Sequence, residues 1–139
     1  MRKLGRKNKH RHQTLKNLAM SILIYEKVTT TQAKAKEVRS LVEKSINIAK
    51  KNDLNARRRL LSLFLHNKNV VKKLTEDIGK RFKDVNSGYT KIYKTNSRLG
   101  DNASMAIIIL SKSKFLNNLK TEKEENKEEK KVLVKEKTK

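Results

Sequence analysis

The stretch that most narrows what this chain can fold into is residues 9–39, KHRHQTLKNLAMSILIYEKVTTTQAKAKEVR. Leu15, Leu18, Ala19, Ile22 and Leu23 recur at helical spacing and make one apolar stripe. Lys9, Arg11, Lys16 and Asn17 lie off that stripe, with His10 and His12 beside them. The stripe stops at Glu26 and Lys27. Val28 and three threonines follow, and β-branched residues favour an extended strand over more helix. The stretch therefore predicts a helix with one face on a core and the other toward an anion, running directly into a strand at residues 27–30. Other elements must supply the remaining walls of that core.

The chain supplies them in order. Asn8 is a candidate N-cap for the first helix. Thr30 or Thr31 is the candidate cap for a second helix, whose stripe is Val38, Leu41, Val42, Ser45, Ile46 and Ala49. Asn55 would cap a short third helix with Leu60, Leu61 and Phe64 inward, which puts Arg57, Arg58 and Arg59 in its first turn. Cations there oppose the helix dipole, so a phosphate partner is one explanation for them and simple tolerance at an exposed site is the other. Asn69 would cap a fourth helix carrying Val70, Val71, Leu74 and Ile78. Gly79 suits the left-handed position that ends a helix, with Phe82 folding back onto the core.

Residues 89–95 alternate like a strand. Residues 96–102 form a turn-rich connection. Met105–Leu110 is a continuous apolar run, which predicts a strand covered on both faces. The predicted fold class is thus α+β: helix, strand, three helices and two strands, with a small mixed three-stranded sheet packed by helices. The predicted organisation is a basic RNA-binding arm at residues 1–11, one domain at 12–116 and a Lys/Glu-rich tail at 117–139, disordered or a single helix. The arm holds six cations and no acid, so alone it is expected to stay disordered until a polyanion neutralises it.

Charge decides what such a domain is for. Residues 1–116 carry 28 Lys+Arg against 8 Asp+Glu, net +20 of the chain's +22. The charge therefore belongs to the arm and the domain, not to the near-neutral tail. Self-repulsion of this size opposes folding, and a polyanionic partner is its usual reason. There is no cysteine, so there is neither a disulfide framework nor a thiolate metal site. Three histidines make a histidine metal site a poor fit, and no cofactor is expected. No apolar segment is long enough to span a bilayer, and a cytosolic protein with no membrane partner and no small-molecule substrate is expected. The four glycines are scattered and form no phosphate loop.

No nucleophile–base set can be assembled, so an enzyme is not expected. Asp101, between Gly100 and Asn102 and near Arg98, reads as a structural turn residue rather than a catalytic carboxylate. His66 reads as a surface residue. The candidate RNA-binding residues are Arg2, Lys3, Arg6, Lys7, Lys9, Arg11, His12, Lys16, Lys34, Lys36, Arg39, Arg57, Arg58, Arg59, Lys91 and Arg98. Cations spread over several faces suit a protein embedded in folded RNA better than one reading a single groove. The alternative is a nucleoid-type basic DNA-binding protein. The absence of a zipper heptad or an evident dimer helix weighs against it.

Two blocks carry a family resemblance. The opening MRKLGRKNKHRHQTLKNLAMSILIYEKVTTTQAKAKEVR is one, with its HR pair, Asn17, Ser21 and Leu23. The other is Gly88-Tyr89-Thr90-Lys91-Ile92 followed by Arg98-x-Gly-Asp-Asn-Ala-x-Met-Ala. In this order and spacing they closely resemble the bacterial large-subunit ribosomal protein seventeen family, over about residues 1–112. The resemblance implies an α+β ribosomal protein bound to large-subunit (23S) ribosomal RNA near the polypeptide exit region, beside protein thirty-two of that subunit.

Overall fold

The computed structural model describes residues 2–113. The tail at 117–139 and the last residues of the 12–116 domain lie outside them. Helix α1 (Asn8–Tyr25) leads into strand β1 (Lys27–Thr31), then α2 (Gln32–Lys50) and α3 (Leu54–Leu63). Next, α4 (Lys68–Lys73) passes through a π-helical turn (Leu74–Ile78) into one more α turn, α5 (Gly79–Arg81). Strands β2 (Thr90–Lys94) and β3 (Met105–Leu110) close the fold. The α+β architecture is the expected one.

The sheet has the order β1-β3-β2 and is antiparallel throughout, not mixed. Val28 pairs with Ile108 on one side of β3 and Ile92 with Ile108 on the other. The continuous apolar run of β3 reflects that central place. Its coverage is less complete than expected. Ala106, Ile108 and Leu110 are fully buried and Ile109 nearly so, whereas Met105 and Ile107 are half-exposed.

The core forms where the helical stripes meet the sheet. Leu15, Ala19, Ile22 and Leu23 of α1 meet Val38, Val42, Ile46 and Ala49 of α2 in one cluster with Leu60, Phe64, Leu74 and Ile108. Phe82 does fold back, edge-on to Tyr89 with ring centroids 5.4 Å apart. Tyr89 is 1% exposed, and its hydroxyl donates to the Asn86 carbonyl at 2.8 Å. The Lys50 ammonium lies 5.6 Å from the Tyr89 ring and donates to the Val85 carbonyl. Lys50 is thus a lid on the core rather than a free cation.

The element boundaries correct several sequence expectations. Lys7, not Asn8, stands at the N-cap of α1, and Asn8 is the first helical residue, so the helix takes in residues 8–11 of the expected arm. Arg6 N–H donates to the Lys3 carbonyl, Leu4 and Gly5 adopt left-handed φ angles of 56° and 62°, and Leu4 packs against the core. Thr31 stands at the N-cap of α2 without a side-chain bond, and Gln32 N–H donates to the Ser104 carbonyl, which extends the sheet pairing into the helix. Asp53, rather than Asn55, caps α3, accepting from Leu54 N–H at 2.7 Å. Asn67, rather than Asn69, caps α4.

Gly79 does not end a helix either. Its φ is −57° and the helix continues through it. A Cβ there would sit 3.0 Å from the Leu74 carbonyl oxygen and 3.2 Å from that of Ala49. Glycine is needed for close approach to α2, not for a left-handed turn.

One buried ionic cluster ties the ends of the fold together. Glu26 closes α1 in a left-handed conformation (φ 61°) and is 4% exposed. The Arg81 guanidinium hydrogen-bonds both of its carboxylate oxygens, and the Lys73 ammonium lies 3.4 Å away. Arg81 also reaches Asp77 (2.9 Å) and the Lys112 carbonyl (2.8 Å). The hydrogen bonds it donates to Glu26 outweigh burial and hold Arg81 more firmly charged than an ordinary arginine.

Candidate nucleic-acid interface

The expected RNA-binding residues divide by what already holds them. Arg2, Lys3, Lys7, Lys9 and His12 are exposed along the arm and the start of α1, while Arg6, Arg11 and Lys16 are half-buried. Arg6 donates to the Leu4 carbonyl and Arg11 to the Asn8 side chain, each at 2.9 Å. Both guanidinium groups are therefore partly committed to local structure. On α2, Lys34 is half-buried and Lys36 exposed, while Arg39 pairs with Glu43 at 3.0 Å. Glu43 in turn accepts from the Thr90 hydroxyl. Arg39 is thereby linked to the sheet only through Glu43, and its own side chain stays half exposed.

Arg57, Arg58 and Arg59 are exposed. Because α3 starts at Leu54, they lie about one turn in, past the free amides of the first turn. The carboxylate of Asp53 accepts from Leu54 N–H and sets a negative charge at the helix N-terminus. The dipole conflict read from the sequence is thus largely absent. Lys91 is exposed on β2, with its Cα paired to Ile109. Arg98 is occupied: its guanidinium bonds both carboxylate oxygens of Asp101 in the hairpin turn.

Asp101 also accepts from Ala103 N–H, and the chain turns with Gly100 at φ 100° and Asn102 at φ 48°. The bond from Arg98, reinforced by the Ala103 amide, lowers the Asp101 carboxyl from 3.8 to about 2. The sign follows from that direction. A carboxyl depressed in the folded state contributes stability above its ordinary value. That contribution is lost as pH falls through about 2. A carboxyl-carbon NMR titration is expected to place the Asp101 midpoint near 2, moving upward in Arg98→Gln. A midpoint near 4 in the wild-type chain would show that the pair does not form in solution.

The fold brings a subset of the expected cations together. Helices α1, α2 and α3 border two adjoining hollows of about 830 and 420 Å³, which share Lys16, Leu41, Lys44 and Leu63. Lys51 and Arg59 line the larger hollow and His12 the smaller. Lys44 and Lys51 were not among the expected contact residues. Their only sequence signal is a place off the α2 stripe, and that place does not separate them from Lys50, which turns inward onto Tyr89. Lys91 and Arg98 do not reach this groove. Among the described residues there is no cluster of histidine and carboxylate side chains fit for a metal, and no helix is long and apolar enough to cross a membrane.

A small α+β core wrapped in cations, some fixed by the fold and others unpaired around a groove, defines a basic binding protein whose working surface is distributed. Comparison with known proteins makes this specific. The ribosomal protein L17 family matches residues 14–111, from α1 to the end of the sheet. The large ribosomal subunit protein bL17 of Caldanaerobacter subterraneus subsp. tengcongensis is 50% identical over 109 residues, covering 78% of this chain and 96% of that protein. The bL17 of Pelobacter propionicus is 46% identical over 114 residues, 82% of this chain and 89% of that one. That of Clostridium acetobutylicum is 47% identical over 109 residues, 78% and 95%. The chain belongs to the ribosomal protein L17 family. Its members are structural ribosomal proteins rather than enzymes, and in bacteria they are cytoplasmic.

Proposed function

We propose that this chain is a structural constituent of the large ribosomal subunit that binds and stabilises large-subunit (23S) ribosomal RNA. The reading includes a seat near the polypeptide exit region, beside protein thirty-two of that subunit. The observation that carries it is the family match spanning the whole folded core, joined to the +20 charge of residues 1–116. Phosphate contacts made by scattered lysines and arginines fix a protein on folded RNA without reading its sequence.

Sedimentation of a cell lysate tests this. The chain is expected to travel with large subunits through a moderate salt wash. Purified, it should bind large-subunit RNA with an affinity that falls steeply with salt, because bound phosphates release counterions. Equal affinity for a random duplex at physiological salt, or release from subunits under a mild wash, would overturn it.

A further inference from the structure

We infer that the groove between α1, α2 and α3 receives a short unstacked segment of RNA rather than a helical one; this rests on the ribosomal RNA reading above. Lys16, Lys44, Lys51 and Arg59 border the groove from three elements, and none of their side chains forms an ion pair or hydrogen bond among the described residues. The acids nearby are fewer. Asp53 is engaged at the start of α3, and Glu37 lies at the smaller end. The net charge is positive, and the floor is apolar, made by Leu41, Ile48 and Leu63.

That combination separates the two ways RNA can approach. A duplex presents a convex phosphate surface, so it would touch only the rim cations and leave Leu41, Ile48 and Leu63 facing water. An unstacked nucleotide offers a flat apolar base and a phosphate on either side of it. The base covers the floor while its phosphates meet the rim. A volume of about 830 Å³ admits such a group, and the Asn47 and Ser62 side chains offer polar contacts to base edges.

The test uses the full chain and a large-subunit ribosomal RNA transcript, read by 2′-hydroxyl acylation footprinting and by salt titration of affinity. Lys44→Gln with Lys51→Gln changes only exposed side chains. Relative to wild type, the pair is expected to weaken binding about tenfold at physiological salt and to lower the log–log salt slope by about 1.4. It should also expose one run of unpaired nucleotides that the wild-type chain protects, with protections in paired regions retained. Lys44→Arg with Lys51→Arg should restore both. Unchanged protection and slope in the glutamine variant would overturn the groove assignment while leaving RNA binding standing. So would a variant that footprints normally yet is missing from isolated subunits, since the occupant would then be a neighbouring protein. A wild-type chain that protects no RNA would remove the underlying reading itself.

Discussion

Arg81→Met is expected to lower the unfolding free energy by about 2–4 kcal/mol, the largest single-residue effect on stability foreseen for this chain. Removing one partner of a buried pair leaves the other charge in a poor solvent, at a usual cost of about 3–5 kcal/mol. Here Glu26 is 4% exposed and loses its two guanidinium bonds. The figure is set below the usual range because Lys73 stays 3.4 Å from the same carboxylate and Arg81 itself is part-exposed. Methionine keeps most of the aliphatic bulk, so the loss reports the charge rather than a cavity. Adding Glu26→Gln should recover part of it, because no buried charge is then stranded. Urea unfolding of the single and double variants decides the matter. If the double variant is no more stable than Arg81→Met, the cluster is not what holds the end of α1 to α5.

Deleting residues 1–7 should produce the largest change in RNA association. Arg2, Lys3, Arg6 and Lys7 would be lost, and if all four met phosphates the log–log salt slope would fall by about 3 to 4. The structure trims that figure. Arg6 is half-buried and donates to the Leu4 carbonyl, so a fall of about 2 to 3 is expected from the three exposed cations. Leu4 also leaves the edge of the core, which should cost about 1 kcal/mol without unfolding it, since the buried stripe begins only at Leu15. Deleting 117–139 removes eight lysines and six glutamates and should change the slope little. Salt titrations of both truncations check this pair of expectations. An unchanged slope for the arm deletion, or an equal loss for the tail deletion, would show the two ends to be assigned the wrong way round.

Much of the architecture could be read from residues alone. Periodicity is a local property, and burial enforces it along each element. The Leu15–Leu23 and Val38–Ala49 stripes therefore appear in the structure as the buried faces of α1 and α2. The six apolar residues of β3 marked a strand for the same reason, but its central place in the sheet came from the fold. Cap residues were less legible. Asn8, Asn55 and Asn69 are all plausible by type, but a cap competes with whatever else can satisfy the first amides. At α2 the Ser104 carbonyl, brought in by the sheet, takes the first amide, that of Gln32.

The candidate surface divided in the same way. Sequence alone established that the charge lies in residues 1–116 and that its distribution suits a polyanion, because net charge needs no geometry. It could not tell which cations are free. Lys50 and Lys51 are neighbours, yet one seals Tyr89 and the other faces the groove, because adjacent helical residues point about 100° apart. Arg39 and Arg98 differ from Arg58 by a carboxylate three or four residues on, Glu43 and Asp101, and of these the turn at Asp101 was legible in the sequence. The pairing of Glu26 with Arg81 across 55 residues, and the glycine that α2 requires at position 79, were decided by tertiary structure alone. Each depends on the distance between elements that no local pattern in the sequence encodes.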